Sequence, residues 1–289
     1  MGKTIDLRNL SPEEFRKWQL KLLEILVYFR DFCDSHNLRF YISAGTCIGV
    51  IRHKGFIPWD EDLDVIMPRE DYEKLPMLWD KYADKTRFTC CRSTKDKCVS
   101  FPMTVIRSED TTCIFDHSVS YDIPQGLKID VEFYDSVPSN KYIASINKFL
   151  AAVMALYRTQ RIPRQTSVPR KILAGLLLGL VPFNGLRWKI SCMCEKQITK
   201  YNIYDTEYVR YIATAPYKRA WFEKAVYKDF EGYQMPIPCG FHEMLTLRYG
   251  DYMQLPPKEA RYPKSDNIAF YDLDNSYKLY KGKEYCVKN

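Results

Sequence analysis

An α+β fold, with a mixed sheet flanked by helices and a mainly helical extension, is what this sequence predicts. Three observations carry that expectation. A long amphipathic helix pattern opens the chain, period-two apolar alternation recurs between residues 38 and 134, and from about residue 139 the texture turns helical. Strand-rich and helix-rich parts are thus segregated rather than strictly alternating. They divide the chain into an expected core over 1–138 and a helical C-terminal region over 139–289, packed on the core and completing its active site.

Ser11-Pro-Glu-Glu14 reads as an N-cap, a first-turn proline and a capping-box glutamate. Phe15, Trp18, Leu22, Ile25, Leu26, Phe29, Phe32 and Cys33 follow at helical spacing, so the first helix runs to about His36-Asn37 with an apolar stripe that is core. Leu38–Ile42 reads as a strand ending in a small-residue turn at Gly45-Thr46, and Cys47–His53 as a short helix. Another helix starts at Pro68, and strand-like runs follow at 87–91, 99–107, 112–115 and 127–134. In the last of these, Ile129, Val131 and Phe133 alternate with Lys128, Asp130, Glu132 and Tyr134. Helices are expected over 141–159 and 189–201, a hairpin over 225–238 with its turn near Glu231-Gly232, and a helix over 239–249 ended by Gly250.

The chemistry concentrates in one stretch. In Asp60-Glu-Asp-Leu-Asp-Val-Ile66 a strand would put Asp60, Asp62 and Asp64 on one face and Leu63 and Val65 on the other. Same-face carboxylates then lie about 7 Å apart and repel one another. A cation between them relieves that cost, and hard divalent ions such as Mg²⁺ are held by one or two carboxylates plus substrate phosphates. Just upstream stand Gly45-Thr46 before a helix, a pattern that suits an anion, and the basic residues Arg52 and Lys54. Together these are the parts of a site for a metal-bridged phosphate. Asp130 is a candidate third carboxylate.

The 289 residues carry 43 basic and 36 acidic side chains, a net charge of +7 that suits a phosphate-bearing substrate or an anionic membrane surface. No arginine-rich arm or zinc-finger spacing favours nucleic acid. Cys90, Cys91, Cys98, Cys113 and His117 match none of the usual zinc ligand patterns. The N-terminus lacks the apolar core of a signal peptide, so the expected location is the cytoplasm. The basic residues Arg158, Arg161, Arg164, Arg170 and Lys171 precede the apolar run Ile172–Phe183, which is too short to span a bilayer. That run is either a buried helix or, with 158–183 as a whole, a peripheral contact at the inner face of the cytoplasmic membrane.

Two motifs carry a family resemblance. Gly45-Thr-Cys-Ile-Gly-Val-Ile-Arg-His-Lys-Gly-Phe-Ile-Pro-Trp-Asp-Glu-Asp-Leu-Asp-Val-Ile-Met-Pro-Arg-Glu-Asp-Tyr72 resembles the signature of the LicD phosphotransferases, relatives of fukutin and fukutin-related protein. Phe230-Glu-Gly-Tyr-Gln-Met-Pro-Ile-Pro238 with Leu247-Arg-Tyr-Gly-Asp-Tyr-Met-Gln-Leu-Pro-Pro257 is similar to that family's C-terminal signature. Glu61 departs from the family, standing where Asp is common, and Glu132 stands where the family usually has an apolar residue.

The resemblance implies a nucleotidyltransferase-like (polymerase-beta-like) core. Gly45 and Thr46 would face nucleotide phosphates, Asp62 and Asp64 would bind Mg²⁺ or Mn²⁺, and Asp130 would complete the catalytic site. Asp60 would support the metal's ligands, while Arg52 and Lys54 would meet phosphate oxygens. The implied reaction moves phosphocholine from CDP-choline to a sugar hydroxyl of a lipid-linked surface-glycan precursor (teichoic acid, lipopolysaccharide or capsule), releasing CMP. Two alternatives stand beside it: transfer of ribitol, glycerol or ethanolamine phosphate from another CDP donor, and an inactive binding module on a membrane.

Overall fold

The computed structural model describes residues 5–95, 102–163, 166–265 and 267–287. Cys98, Val99–Phe101 and Arg164, named above, lie outside them. Among the described residues the elements in chain order are α1 (Pro12–Ser35), β1 (Tyr41–Ile42), α2 (Ala44–His53), β2 (Asp64–Pro68), α3 (Arg69–Tyr82), β3 (Phe88–Arg92), β4 (Thr104–Ser108), β5 (Thr112–Phe115) and β6 (Lys128–Val137). They continue with α4 (Lys141–Thr159), α5 (Val168–Leu180), α6 (Asn184–Thr199), β7 (Tyr208–Arg210), β8 (Tyr217–Lys218), β9 (Ala225–Phe230), β10 (Tyr233–Pro238), α7 (Phe241–Tyr249) and β11 (Ile268–Asp272). The architecture is mixed α and β, as expected.

Two compact units emerge. The first takes Met1–Cys91, Thr104–Glu132 and Ala220–Asn289, and the second Arg92–Met103 and Phe133–Arg219. Residues 220–289 therefore group with the amino-terminal part, whereas the texture of the sequence grouped them with 139–219. Long-range pairing brings them back: β11 runs antiparallel to β5, and the carboxylate of Glu14 accepts the Tyr271 hydroxyl at 2.7 Å. Ser11 caps α1 by accepting the Glu14 N–H at 3.1 Å.

In the first unit the strand order is β1-β2-β6-β4-β3. The apolar stripe of α1 is buried as its spacing predicts. Lys128–Glu132 of β6 sits between β2 and β4, so both its edges are paired; Asp130 and Glu132 are buried along with Ile129 and Val131, so both its faces are covered as well. The alternation in β6 by itself does not reveal what covers its polar face. The β9–β10 hairpin turns at Glu231-Gly232 as predicted, with φ of 55° and 84°, the left-handed pair that a two-residue hairpin turn needs.

In the second unit Asp135–Val137 pairs antiparallel with β7, and β7 with β8. α4 matches its expected bounds and packs chiefly on α6. α5 overturns the buried reading of 172–183. An apolar helix needs neighbours on every side to be core, and in α5 only Ala174 is buried. Among the described residues no helix is long and apolar enough to cross a membrane.

Candidate active site

The acidic stretch is only partly strand. β2 begins at Asp64, and residues 60–63 approach it without regular pairing, so the predicted row of three on one strand face reduces to one strand residue. The alternation survives nevertheless: Leu63 and Val65 are buried, Asp62 is exposed and Asp64 half-buried. α1 fixes the approach. Buried Gln19 donates its amide to the carbonyls of Ile57 (3.2 Å) and Asp60 (3.1 Å), and the Trp18 indole donates to that of Glu61 at 3.0 Å. Five backbone or side-chain groups that water would otherwise satisfy are thereby paired inside the protein.

α2 holds the other side. It starts at Ala44, earlier than predicted, so Gly45 and Thr46 lie within its first turn rather than in a preceding turn. Thr46 is buried, and its hydroxyl accepts the Asp64 N–H at 3.0 Å, so its side chain positions Asp64. Ser43 donates its N–H to the Asp64 carbonyl at 3.0 Å and its hydroxyl to Glu132 at 3.1 Å. Gly45 lies against Asp60: a Cβ added there would stand 3.4 Å from its carboxylate.

Five carboxylates thus gather with little positive charge among them. Burial pushes Asp64 well above the usual carboxylate range, and Asp62, Glu132 and Asp130 push it further, opposed by Lys128. Asp62 keeps one edge in solvent, yet the protein packed around its carboxyl, and then Asp130, push it up as well. Glu132 rises to about 7, mainly through burial, with Arg248 and the Ser43 hydroxyl pulling the other way. Burial, then the charges of Asp62 and Glu61, raises Asp60 to about 8, with Lys264 pulling the other way. Lys128 ion-pairs with Asp130. That partner was not assigned from sequence, although Lys128 stands two positions away on the same face.

Among the described residues, no three His, Cys, Asp or Glu side chains form a self-sufficient metal cage. The donor set fits a hard cation in a different way. Asp62 and Asp64 are two crowded oxygen ligands whose repulsion a dication would relieve, and such ions take their remaining ligands from water and substrate phosphates.

Asp62 opens into a cleft of about 510 Å³. Of the expected residues, Gly45, Arg52, Asp60 and Asp62 line it; Asp64 and Asp130 lie behind Asp62 in charge contact with it. Arg52 is engaged, donating to the carbonyls of Tyr252 (2.7 Å) and Gln254 (3.3 Å), which ties α2 to the cleft's far wall. Lys54 is not in the cleft. It ends α2 in a left-handed conformation with φ of 56°, about 13 Å of helix rise from Gly45, and its carbonyl accepts the Glu231 N–H at 2.9 Å.

The far wall is what local sequence reading missed: Tyr249, Tyr252, Leu255, Pro256, Pro257, Tyr262 and Lys264, facing Trp59. The second motif was the signal, since 247–257 supplies most of it. Glu61 latches this wall down. Its carboxylate accepts the N–H groups of Lys264 (3.1 Å) and Ser265 (2.8 Å) and the Ser265 hydroxyl (2.8 Å), a job that a shorter Asp reaches less far to do.

Residues 37–135, which hold every carboxylate of the cluster, match the family described as LicD/FKTN/FKRP, nucleotidyltransferase domain. The first of the two motifs, residues 45–72, lies inside that match, and the second, residues 230–257, lies outside it. Over 272 residues, 88% of this chain and 97% of the other, it is 29% identical to the lipopolysaccharide cholinephosphotransferase LicD of Haemophilus influenzae. An uncharacterized protein of Rickettsia prowazekii is 25% identical over 46% of this chain and 53% of its own length.

Proposed function

We propose that this protein is a metal-dependent transferase that moves phosphocholine from CDP-choline to a sugar hydroxyl of a lipid-linked bacterial surface glycan, releasing CMP. The observation that carries the proposal is the cleft itself. One wall presents Asp60 and Asp62 backed by Asp64 and Asp130, and the other presents Tyr249, Tyr252 and Tyr262 opposite Trp59. A donor with a charged pyrophosphate at one end and a quaternary ammonium at the other needs both walls, because a quaternary ammonium has no N–H to donate to a hydrogen bond and is held by aromatic faces. The similarity to a cholinephosphotransferase over nearly its full length supports the same reading. We assign residues 37–135 a nucleotidyltransferase-like fold on that basis.

In this mechanism Asp62 and Asp64 hold Mg²⁺ or Mn²⁺, with Asp130 as the third carboxylate, kept in place by Lys128. When bound, the cation neutralises the pyrophosphate and stabilises the leaving oxygen. The rest of the work is positioning. α2 and Thr46 hold Asp64 at the front of β2, Gly45 lets the donor approach Asp60 closely, and Arg52 sets the spacing of the two walls. Lys264, which lines the cleft and offsets the charge of Asp60, takes the phosphate role that sequence assigned to Lys54. The sugar hydroxyl attacks the substituted phosphate in line with the departing CMP.

The test is CMP release from a panel of CDP donors with Mg²⁺ and a glycan acceptor. Turnover of CDP-choline alone supports phosphocholine transfer; turnover only of CDP-ribitol or CDP-glycerol moves the protein to the sister reaction. No release with any donor refutes both and leaves the binding-module alternative.

A further inference from the structure

A part of the second unit carries chemistry for which the transfer reaction has no use. α5 reads as a core helix, yet Val168, Ile172, Leu176 and Leu180, each one turn from the next, are 67%, 60%, 59% and 77% exposed. Phe183, just past its end, is 71% exposed, and Tyr142, Ile146 and Phe149 of α4 are exposed too. Scattered surface apolar residues need no explanation, but an apolar row along a whole helix does.

Charge supplies the second observation. Residues 136–194 contain nine of the chain's 43 basic side chains and none of its 36 acidic ones, so the positive balance of the protein arises here and the rest is net acidic. The cations are also placed against the interest of their own helices. α4 begins with Lys141, and Arg170 and Lys171 stand in the first two turns of α5; α4, α5 and α6 have no acid in their first turns. Positive charge near a helix N-terminus opposes the helix dipole, and negative charge is the favoured choice there. An external anion removes that conflict.

An apolar row edged by cations, in a stretch from 136 to 194 with no acidic residue, is complementary to one kind of surface: apolar chains beneath anionic headgroups. α5 is about 20 Å long, too short to span a hydrocarbon core of about 30 Å, so it suits lying in the interface. We propose that α5 and Phe183 form a membrane-docking face that lies in the headgroup layer of an anionic bilayer, with Arg170 and Lys171 on lipid phosphates. Val168, Ile172, Leu176 and Leu180 enter the layer beneath. The proposal stands on the second unit alone and holds whether or not the cleft performs the transfer.

The test is co-sedimentation of the full chain with vesicles of phosphatidylcholine alone or with about a third phosphatidylglycerol, without donor or acceptor. The expected result is binding to the anionic vesicles only, weakening as salt screens the cations. Replacing Arg170→Ala and Lys171→Ala together should weaken partition about 25-fold, about fivefold per cation. Leu176→Ser with Leu180→Ser should abolish it, and because both side chains are exposed the circular dichroism spectrum should not change. Wild-type protein that stays in the supernatant with both vesicles overturns the proposal, as do variants that bind like wild type. So does size-exclusion chromatography in which the leucine variant turns a dimer into a monomer, since a second copy then covers the face.

Discussion

The hydroxyl of Thr46 accepts the backbone N–H of Asp64 at 3.0 Å, joining the first turn of α2 to the first residue of β2 across eighteen positions of chain. With Ser43 on the Asp64 carbonyl and on Glu132, it makes the start of α2 a bracket for both acidic strands. Replacing Thr46→Val keeps the shape and removes the acceptor. The stranded N–H should cost about 1–3 kcal/mol in denaturant unfolding, and CMP release should fall at least about tenfold as Asp64 loses its register. Thr46→Ser should restore both.

Asp64 is held in a place that its own charge disfavours. Asp64→Asn removes a carboxylate that burial, Asp62, Glu132 and Asp130 all disfavour, so without divalent metal the variant should melt higher than wild type. Activity should drop by orders of magnitude. Added Mg²⁺ should raise the melting temperature of wild type and leave the variant unmoved; equal shifts would disconnect Asp64 from the metal.

Glu231 offers a pH test remote from the cluster. It accepts Arg16 at 2.6 Å and the Phe56 N–H at 3.0 Å, and these bonds, that from Arg16 above all, hold its carboxyl below its ordinary value of 4.5. A lowered folded value means that the pair stabilises above the unfolded value and loses this as pH falls through the folded one. Arg16 is 44% exposed, so solvent discounts the gain to about 1 kcal/mol. Glu231→Gln should therefore be less stable by that amount at pH 7 in urea unfolding, and the gap should close below about pH 4.

The two glycines of α2 should respond differently. A Cβ at Gly49 would stand 2.6 Å from the carbonyl oxygen of Gly55, and backbone there has nowhere to go. Gly49→Ala should cost about 1–3 kcal/mol, read as a lower melting temperature. Gly45→Ala meets only the Asp60 carboxylate at 3.4 Å, so it should fold normally and show its effect on the KM for the donor.

Elements whose evidence is local were legible. α1 buries the stripe its spacing announced, α4 keeps its bounds, and Glu231-Gly232 turns as its residue types require. The choice of Asp60, Asp62 and Asp64 as the acidic centre rested on alternation with Leu63 and Val65, and burial follows that alternation even where the strand does not form. Where the sequence misled, the deciding partner was distant. Lys54 and Lys264 look alike as exposed lysines, and only the fold puts one at the far end of α2 and the other in the cleft.

By itself, then, the sequence determined which residues could do chemistry and which periods they sit on, because helix and strand patterns depend on neighbours a few positions away. The tertiary structure alone decided what each one touches. It used the Thr46 hydroxyl to hold Asp64, latched 264–265 with Glu61, and left α5 uncovered. Those outcomes depend on burial and on hydrogen bonds across tens to hundreds of residues, and no local pattern encodes which surfaces a chain will bring together.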